Sequence, residues 1–141
     1  MSYFEMLKSV LKIIILIIFL IENGYAVDNL GKDNIVGCWI AEPPITDGER
    51  SFLKISEGLT ATLTREFLSG RSVVAKGNTD FCSDLLVIDF NVNGSEHRLK
   101  LVGSGWSSEM LTLMFGMLYL FEGDEVFNGL PARFKAIPCT E

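Results

Sequence analysis

Between residues 59 and 101 apolar and polar side chains alternate with period two in three separate runs. Leu59, Ala61, Leu63 and Phe67 interleave with Thr60, Thr62, Thr64 and Glu66. Leu86, Ile88, Phe90 and Val92 share one parity, with Asp89 and Asn91 on the other. His97, Leu99 and Leu101 oppose Glu96, Arg98 and Lys100. Successive side chains of a strand point to opposite faces, so this pattern specifies half-buried antiparallel strands with charges toward water. Shorter runs over 35–41, 51–56, 71–76 and 132–137 read as four further strands. The apolar stretch 109–121 reads as the eighth, with a buried helix as its alternative.

The turns fit hairpins between sequence neighbours. Asn93-Gly94 separates two alternating runs, a strong hairpin signal because both residues tolerate positive φ. Glu57-Gly58 and Ser69-Gly70 read as shorter turns, while Gly77-Asn78 and Gly123-Asp124 open longer connections. Pro43-Pro44 and Asp47-Gly48 mark a long loop over 42–50. The fold class expected is all-β, an eight-stranded antiparallel up-and-down barrel.

Ahead of this lies an address segment. Lys8 and Lys12 precede nine unbroken apolar residues, Ile13 to Ile21, and Glu22-Asn23-Gly24-Tyr25-Ala26 ends on small residues. Basic start, short apolar run and small-residue exit form the secretory signal pattern. A retained signal anchor is the alternative, but a bilayer span needs about 20 apolar residues. The expected division is a helical signal peptide over 1–26 and a single domain over 27–141. The expected location is the periplasm or the extracellular space, with membrane contact only through the signal segment before cleavage. Removing it takes away Lys8, Lys12, Glu5 and Glu22, so the net charge of −6 is unchanged. That balance argues against nucleic acid, whose phosphates are held by concentrated Lys and Arg.

Gly37-Cys38-Trp39 stands on the first strand of the expected domain, ahead of the eight-strand meander. Gly-x-Trp in that position resembles the lipocalin-like (calycin) barrels. The resemblance implies that Trp39 plugs the closed end of the barrel and that Arg133, on the last strand, packs across it. It also implies a disulfide between a mid-chain and a C-terminal cysteine, which here are Cys82 and Cys139. Cys82 lies in an expected loop and Cys139 in the tail, which suits that pairing, and Cys38 has the outward parity opposite to Trp39. Cys38–Cys139 is the alternative, because first and last strands are neighbours in a closed barrel. Three cysteines in an exported chain mean one bridge and one spare thiol. Two departures from the family are expected: no helix is expected after the last strand, and Thr79-Asp80-Phe81 lies too early for the family's second motif.

Catalytic chemistry is not expected. His97 is the single histidine, and it shares a parity with Leu99 and Leu101, which suits a barrel wall better than a general base. Gly103-Ser104-Gly105-Trp106 lacks the spacing of a nucleophile elbow. No phosphate loop or dinucleotide fingerprint occurs, and the cysteine spacings do not suit zinc. Asp80, Asp84 and Asp89 are too spread for a calcium loop. No cofactor and no metal are expected.

Two features point instead to recognition. On 109–121 the parity of Leu111, Leu113, Phe115, Met117, Tyr119 and Phe121 is expected to face inward. Met110, Met114, Leu118 and Leu120 would then face outward, with Val74, Leu85, Val87 and Val102 on comparable parity. Contiguous exposed apolar surface usually marks an interface. Trp106, in the expected loop Gly103 to Ser108, is a second candidate anchor. Trp106, Met110, Met114 and Leu118 therefore form the candidate interface of a protein-binding module, of the inhibitor or immunity type, acting on an envelope enzyme or toxin. The alternative is a carrier of a small apolar ligand lined by Phe67, Phe90, Phe115 and Tyr119. Six large inward aromatics (these four with Trp39 and Phe121) favour a filled barrel over a hollow one.

Overall fold

The computed structural model describes residues 5, 8–15, 28–92, 97–107 and 112–140. A two-residue strand, β1 (Asp28–Asn29), is followed by β2 (Gly37–Ala41), β3 (Glu49–Ile55), β4 (Thr60–Phe67) and β5 (Ser72–Cys82). Then come β6 (Leu85–Val92), β7 (His97–Ser107), β8 (Thr112–Glu122) and β9 (Glu125–Ile137). Strands β2 to β9 each pair antiparallel with their sequence neighbours, and β2 pairs with β9 to close the cylinder. The eight-stranded up-and-down barrel expected from the alternation is the fold. Residues 8–15 are helical, and among the described residues no helix is long and apolar enough to cross a membrane. The signal exit at Glu22 to Ala26 and the Asn93-Gly94 turn lie outside the described residues.

Several strands outrun their expected ends. Gly77-Asn78 does not open a connection but sits inside β5, where Ala61 and Phe90 flank Gly77 on the neighbouring strands. A Cβ at Gly77 would lie 1.7 Å from the Asp89 carbonyl oxygen, so glycine here permits close backbone approach and does not mark a turn. The stretch Gly103 to Ser107 likewise belongs to β7 and is not a loop. Ser69-Gly70 does turn the chain, whereas Gly123-Asp124 makes a tight two-residue turn between β8 and β9 and not the longer connection expected; Gly70 and Gly123 are at positive φ. At Glu57-Gly58 the positive φ falls on Leu59 instead.

One end of the barrel is capped by residues 30–35. β7 overhangs β6, and β1 pairs with the overhang through Asp28↔Ser107 and Asn29↔Trp106. Leu30 N–H then donates to the Gly105 carbonyl at 2.9 Å. The turn that follows is pinned by Gly31 N–H to Asn34 Oδ1 at 2.6 Å, and it tucks Ile35 fully inside. Trp39 is buried beneath this cap, and its Nε1–H donates to the Ile35 carbonyl at 3.2 Å. The indole therefore has both an apolar bed and a partner for its one polar atom. Below it the lumen is packed by Leu53, Leu63, Ile88, Phe90, Leu101 and Phe134, all essentially buried.

Strand β8 faces the opposite way from expectation. Met114 (0 % exposed) and Leu118 (3 %) point into the core, whereas Phe115, Met117, Tyr119 and Phe121 are half-buried on the outer wall. The phase is set across the ladder: Leu101 pairs with Leu118 and Leu99 with Leu120, and directly paired residues share a face. Since Leu99 and Leu101 line the core, the even-numbered residues of β8 must do so too.

Candidate functional site

Among the described residues the lumen offers little room for a ligand: a pocket of about 40 Å³ lies beside Arg65, Leu99, Leu118, Leu120, Asn128 and Leu130. Ligand sites for small molecules run to roughly 300–1,000 Å³. Of the four residues expected to line a ligand, Phe90 is in the packed core and Phe67 is half-buried beside the buried Glu49. Phe115 and Tyr119 are on the outside, so the four are not brought together. The outward interface expected of Met114 and Leu118 is likewise corrected, because both are core residues. Met110 lies outside the described residues, and Trp106 is placed only as a strand residue of β7.

The end of the lumen opposite Trp39 holds charge instead of a ring. The Glu49 carboxylate is fully buried and accepts from Arg65 Nη2 at 2.6 Å and Nε at 3.0 Å. Its other oxygen accepts from Ser51 Oγ–H and Thr46 N–H, both at 3.2 Å. All three side chains share the inward parity of β3 and β4. A buried carboxylate is tolerable only with this kind of full satisfaction.

Arg133 does not reach Trp39. The β2–β9 register sets Ala136 opposite Trp39 and Phe134 opposite Ala41, so Arg133 has the outward parity and is exposed. Its Nε–H donates to the Glu42 carbonyl, bracing the cis Glu42-Pro43 loop against β9. A shallow groove of about 390 Å³ lies there, between Pro43, Pro44 and Ile45 on one side and Phe115, Pro131 and Arg133 on the other.

The disulfide joins Cys38 to Cys139, with Cα atoms 5.2 Å apart, and Cys82 is a free, exposed thiol. The expected Cys82–Cys139 pairing is thus overturned. Ile137 pairs with Cys38, so the chain leaving β9 passes directly over the outward side of β2, where the Cys38 thiol points. Cys82 is the last residue of β5, and β5 is separated from β9 by β4, β3 and β2.

By pinning the tail, that bridge forms one bank of a groove of about 540 Å³ on the outer wall of β2, β3 and β4. Ile40, Phe52 and Ile137 supply apolar surface, Thr62 and Thr64 hydroxyls, and Pro138 and Thr140 one bank. Arg50 and Lys54 flank Phe52 along β3, and the Arg50 guanidinium lies 5.4 Å from the Phe52 ring centroid. Among the described residues Arg50, Lys54 and Lys76 make no ion pair, and Lys135 on β9 meets Glu42 at 3.8 Å. On the wall of β6 to β8 the cations are matched instead. There Lys100 pairs with Asp89 at 3.4 Å and Arg98 with Asp124 at 3.5 Å. An acidic chain thus carries one locally basic, partly apolar wall. The sequence signal was the triplet Arg50-x-Phe52-x-Lys54, whose period-two spacing puts all three on one face of a strand.

Among the described residues no group of three or more His, Cys, Asp or Glu side chains could hold a metal ion. His97 is exposed at the start of β7. A disulfide implies a non-reducing environment. Compared with protein-family models, with curated proteins and with solved structures, the chain has no match in any of the three.

Proposed function

We propose that this chain is an exported, non-catalytic protein-binding module on a lipocalin-like barrel, of the inhibitor or immunity type, acting in the cell envelope. The observation that carries the reading is the contrast between the two sides of the wall. The lumen is filled by the protein's own side chains, while the concave surfaces of several hundred Å³ lie outside. A carrier needs the reverse arrangement. The leader pattern of residues 1–26 and the disulfide support export to the periplasm or beyond. The outer apolar residues of β6 to β8, Val87, Val102 and Met117, sit side by side in register and add surface suited to a partner.

The test is affinity capture from a periplasmic extract at several salt concentrations, paired with native mass spectrometry of the purified protein. A stoichiometric protein partner is the expected result. A co-purifying lipid or pigment, with no protein partner at any salt, would replace this reading with the carrier.

A further inference from the structure

The outer groove sets charge and ring at the spacing of a strand. Arg50, Phe52 and Lys54 lie on the outward face of β3, two residues apart each time. A strand advances about 3.4 Å per residue, so the two cations stand roughly 13 Å apart with the ring midway between them. An extended peptide has the same rise. One with acidic residues at its first and fifth positions and an apolar residue at its third repeats that spacing with the opposite charges.

We propose that the Arg50–Phe52–Lys54 groove receives an extended acid-x-apolar-x-acid segment of a protein partner. The apolar side chain seats between Phe52 and Ile137, and the carboxylates meet Arg50 and Lys54. This inference rests on the protein-binding reading and adds the partner's chemistry to it. Three observations support it. Neither Arg50 nor Lys54 forms an ion pair among the described residues, even though Glu66 stands opposite Arg50 on the β4 ladder and the chain as a whole carries −6. The floor between them is aromatic and aliphatic, and Thr62 and Thr64 present hydroxyls along the next strand. The far bank, Pro138 to Thr140, is held by the Cys38–Cys139 bridge, so the groove is built before a partner arrives. The overall negative charge does not forbid an acidic segment, because beyond about 8–10 Å exposed charges are screened at physiological salt and the local cations decide at contact.

The test is a heteronuclear NMR titration of the full-length protein with the peptide acetyl-Glu-Thr-Phe-Thr-Glu-amide. Its counterpart with Lys in place of both Glu and phosphatidylglycerol vesicles are run beside it. Saturable shifts confined to Ile40, Phe52, Thr62, Thr64 and Ile137 are expected with the acidic peptide alone, weakening as salt rises. R50E/K54E should lower affinity at least about tenfold, and the milder R50Q/K54Q should fall between. Both positions are exposed, and an unchanged far-ultraviolet spectrum shows that the barrel is intact. Scattered shifts, equal response to the Lys peptide or indifference to R50E/K54E would overturn the assignment. So would binding to vesicles in preference to the peptide, which would make the wall a membrane surface. The two levels separate cleanly. A captured partner that still binds R50E/K54E removes the groove from the interface and leaves the protein-binding reading standing. Peptide binding without any captured partner does the converse.

Discussion

Glu49 and Arg65 face each other inside the barrel, the guanidinium gripping one carboxylate oxygen at 2.6 and 3.0 Å while Ser51 and Thr46 serve the other. Removing one partner strands a buried charge, which typically costs about 3–5 kcal/mol. Arg65→Met and Glu49→Leu should each destabilise by roughly that amount. The double variant leaves no unpaired charge and should cost less than either single change. Urea unfolding of the three proteins measures this. Additive losses would show that the two groups do not act as a pair.

The bridge between Cys38 and Cys139 closes nearly the whole barrel, its two ends standing 101 positions apart in the sequence. Loops of that length constrain the unfolded chain strongly, and losing a native bridge typically costs about 2–5 kcal/mol. Cys139→Ser should lower the urea midpoint accordingly. Cys82→Ser should leave it unchanged, because that thiol is exposed and unbridged. Non-reducing peptide mapping should recover the Cys38 and Cys139 peptides joined. Recovery of Cys82 in the bridge would contradict the geometry.

How much of this was legible in the sequence depended on how cleanly each strand alternated. On β6 and β7 the polar residues Asp89, Asn91, Arg98 and Lys100 announce the wet face, and the inward set Leu86, Ile88, Phe90, Leu99 and Leu101 follows directly. On β8 both parities are apolar, so periodicity carries no phase. Only the β7 register decides it, and register is a property of two strands together. Choosing the aromatic parity as the inner one placed Phe115 and Tyr119 inside and Met114 and Leu118 outside, the reverse of the fold.

The candidate site was hidden for related reasons. Glu49 and Arg65 have inward parity on β3 and β4, but a charged residue on an apolar face reads as a break in the pattern until its partner is seen across the ladder. Gly77 reads as the start of a connection, and Gly103 and Gly105 as parts of a loop, because glycine marks both reversals and close backbone approach. Cys38 was correctly assigned to the outer face. What the sequence withheld was that the tail beyond Ile137 returns along that same face.

Trp39 tests the capped end. Its ring is buried under Ile35, and its Nε1–H has the Ile35 carbonyl as partner at 3.2 Å. Trp39→Ala should cost about 3–5 kcal/mol through the cavity it leaves. Trp39→Phe keeps most of the apolar volume and gives up the hydrogen bond, so a loss nearer 1–2 kcal/mol is expected. Ile35 should respond with the indole. In hydrogen exchange the amides of Asn34 and Ile35, which donate to the Gly31 carbonyl, should lose protection in Trp39→Ala before those of β3 and β4 do. Uniform loss across the sheet would mean that the cap is not a separate unit.

Adjacent residues on β8 give the sharpest check of which face is which. Leu118 is nearly inaccessible and pairs with Leu101 and Leu130, whereas Met117 is half-buried outside and pairs with Val102 and Pro131. Leu118→Ala should destabilise by about 2–5 kcal/mol, since a buried Leu leaves both lost transfer energy and a cavity. Met117→Ala removes a side chain of similar size from the outer wall, where the gap opens to water, and should cost well under about 1.5 kcal/mol. If the outer stripe of β6 to β8 also takes part in partner binding, Met117→Ala should weaken capture in the periplasmic assay at unchanged fold. Equal unfolding penalties for the two variants, or a larger one for Met117, would mean that β8 is out of phase with this register and that its aromatic parity lines the lumen after all.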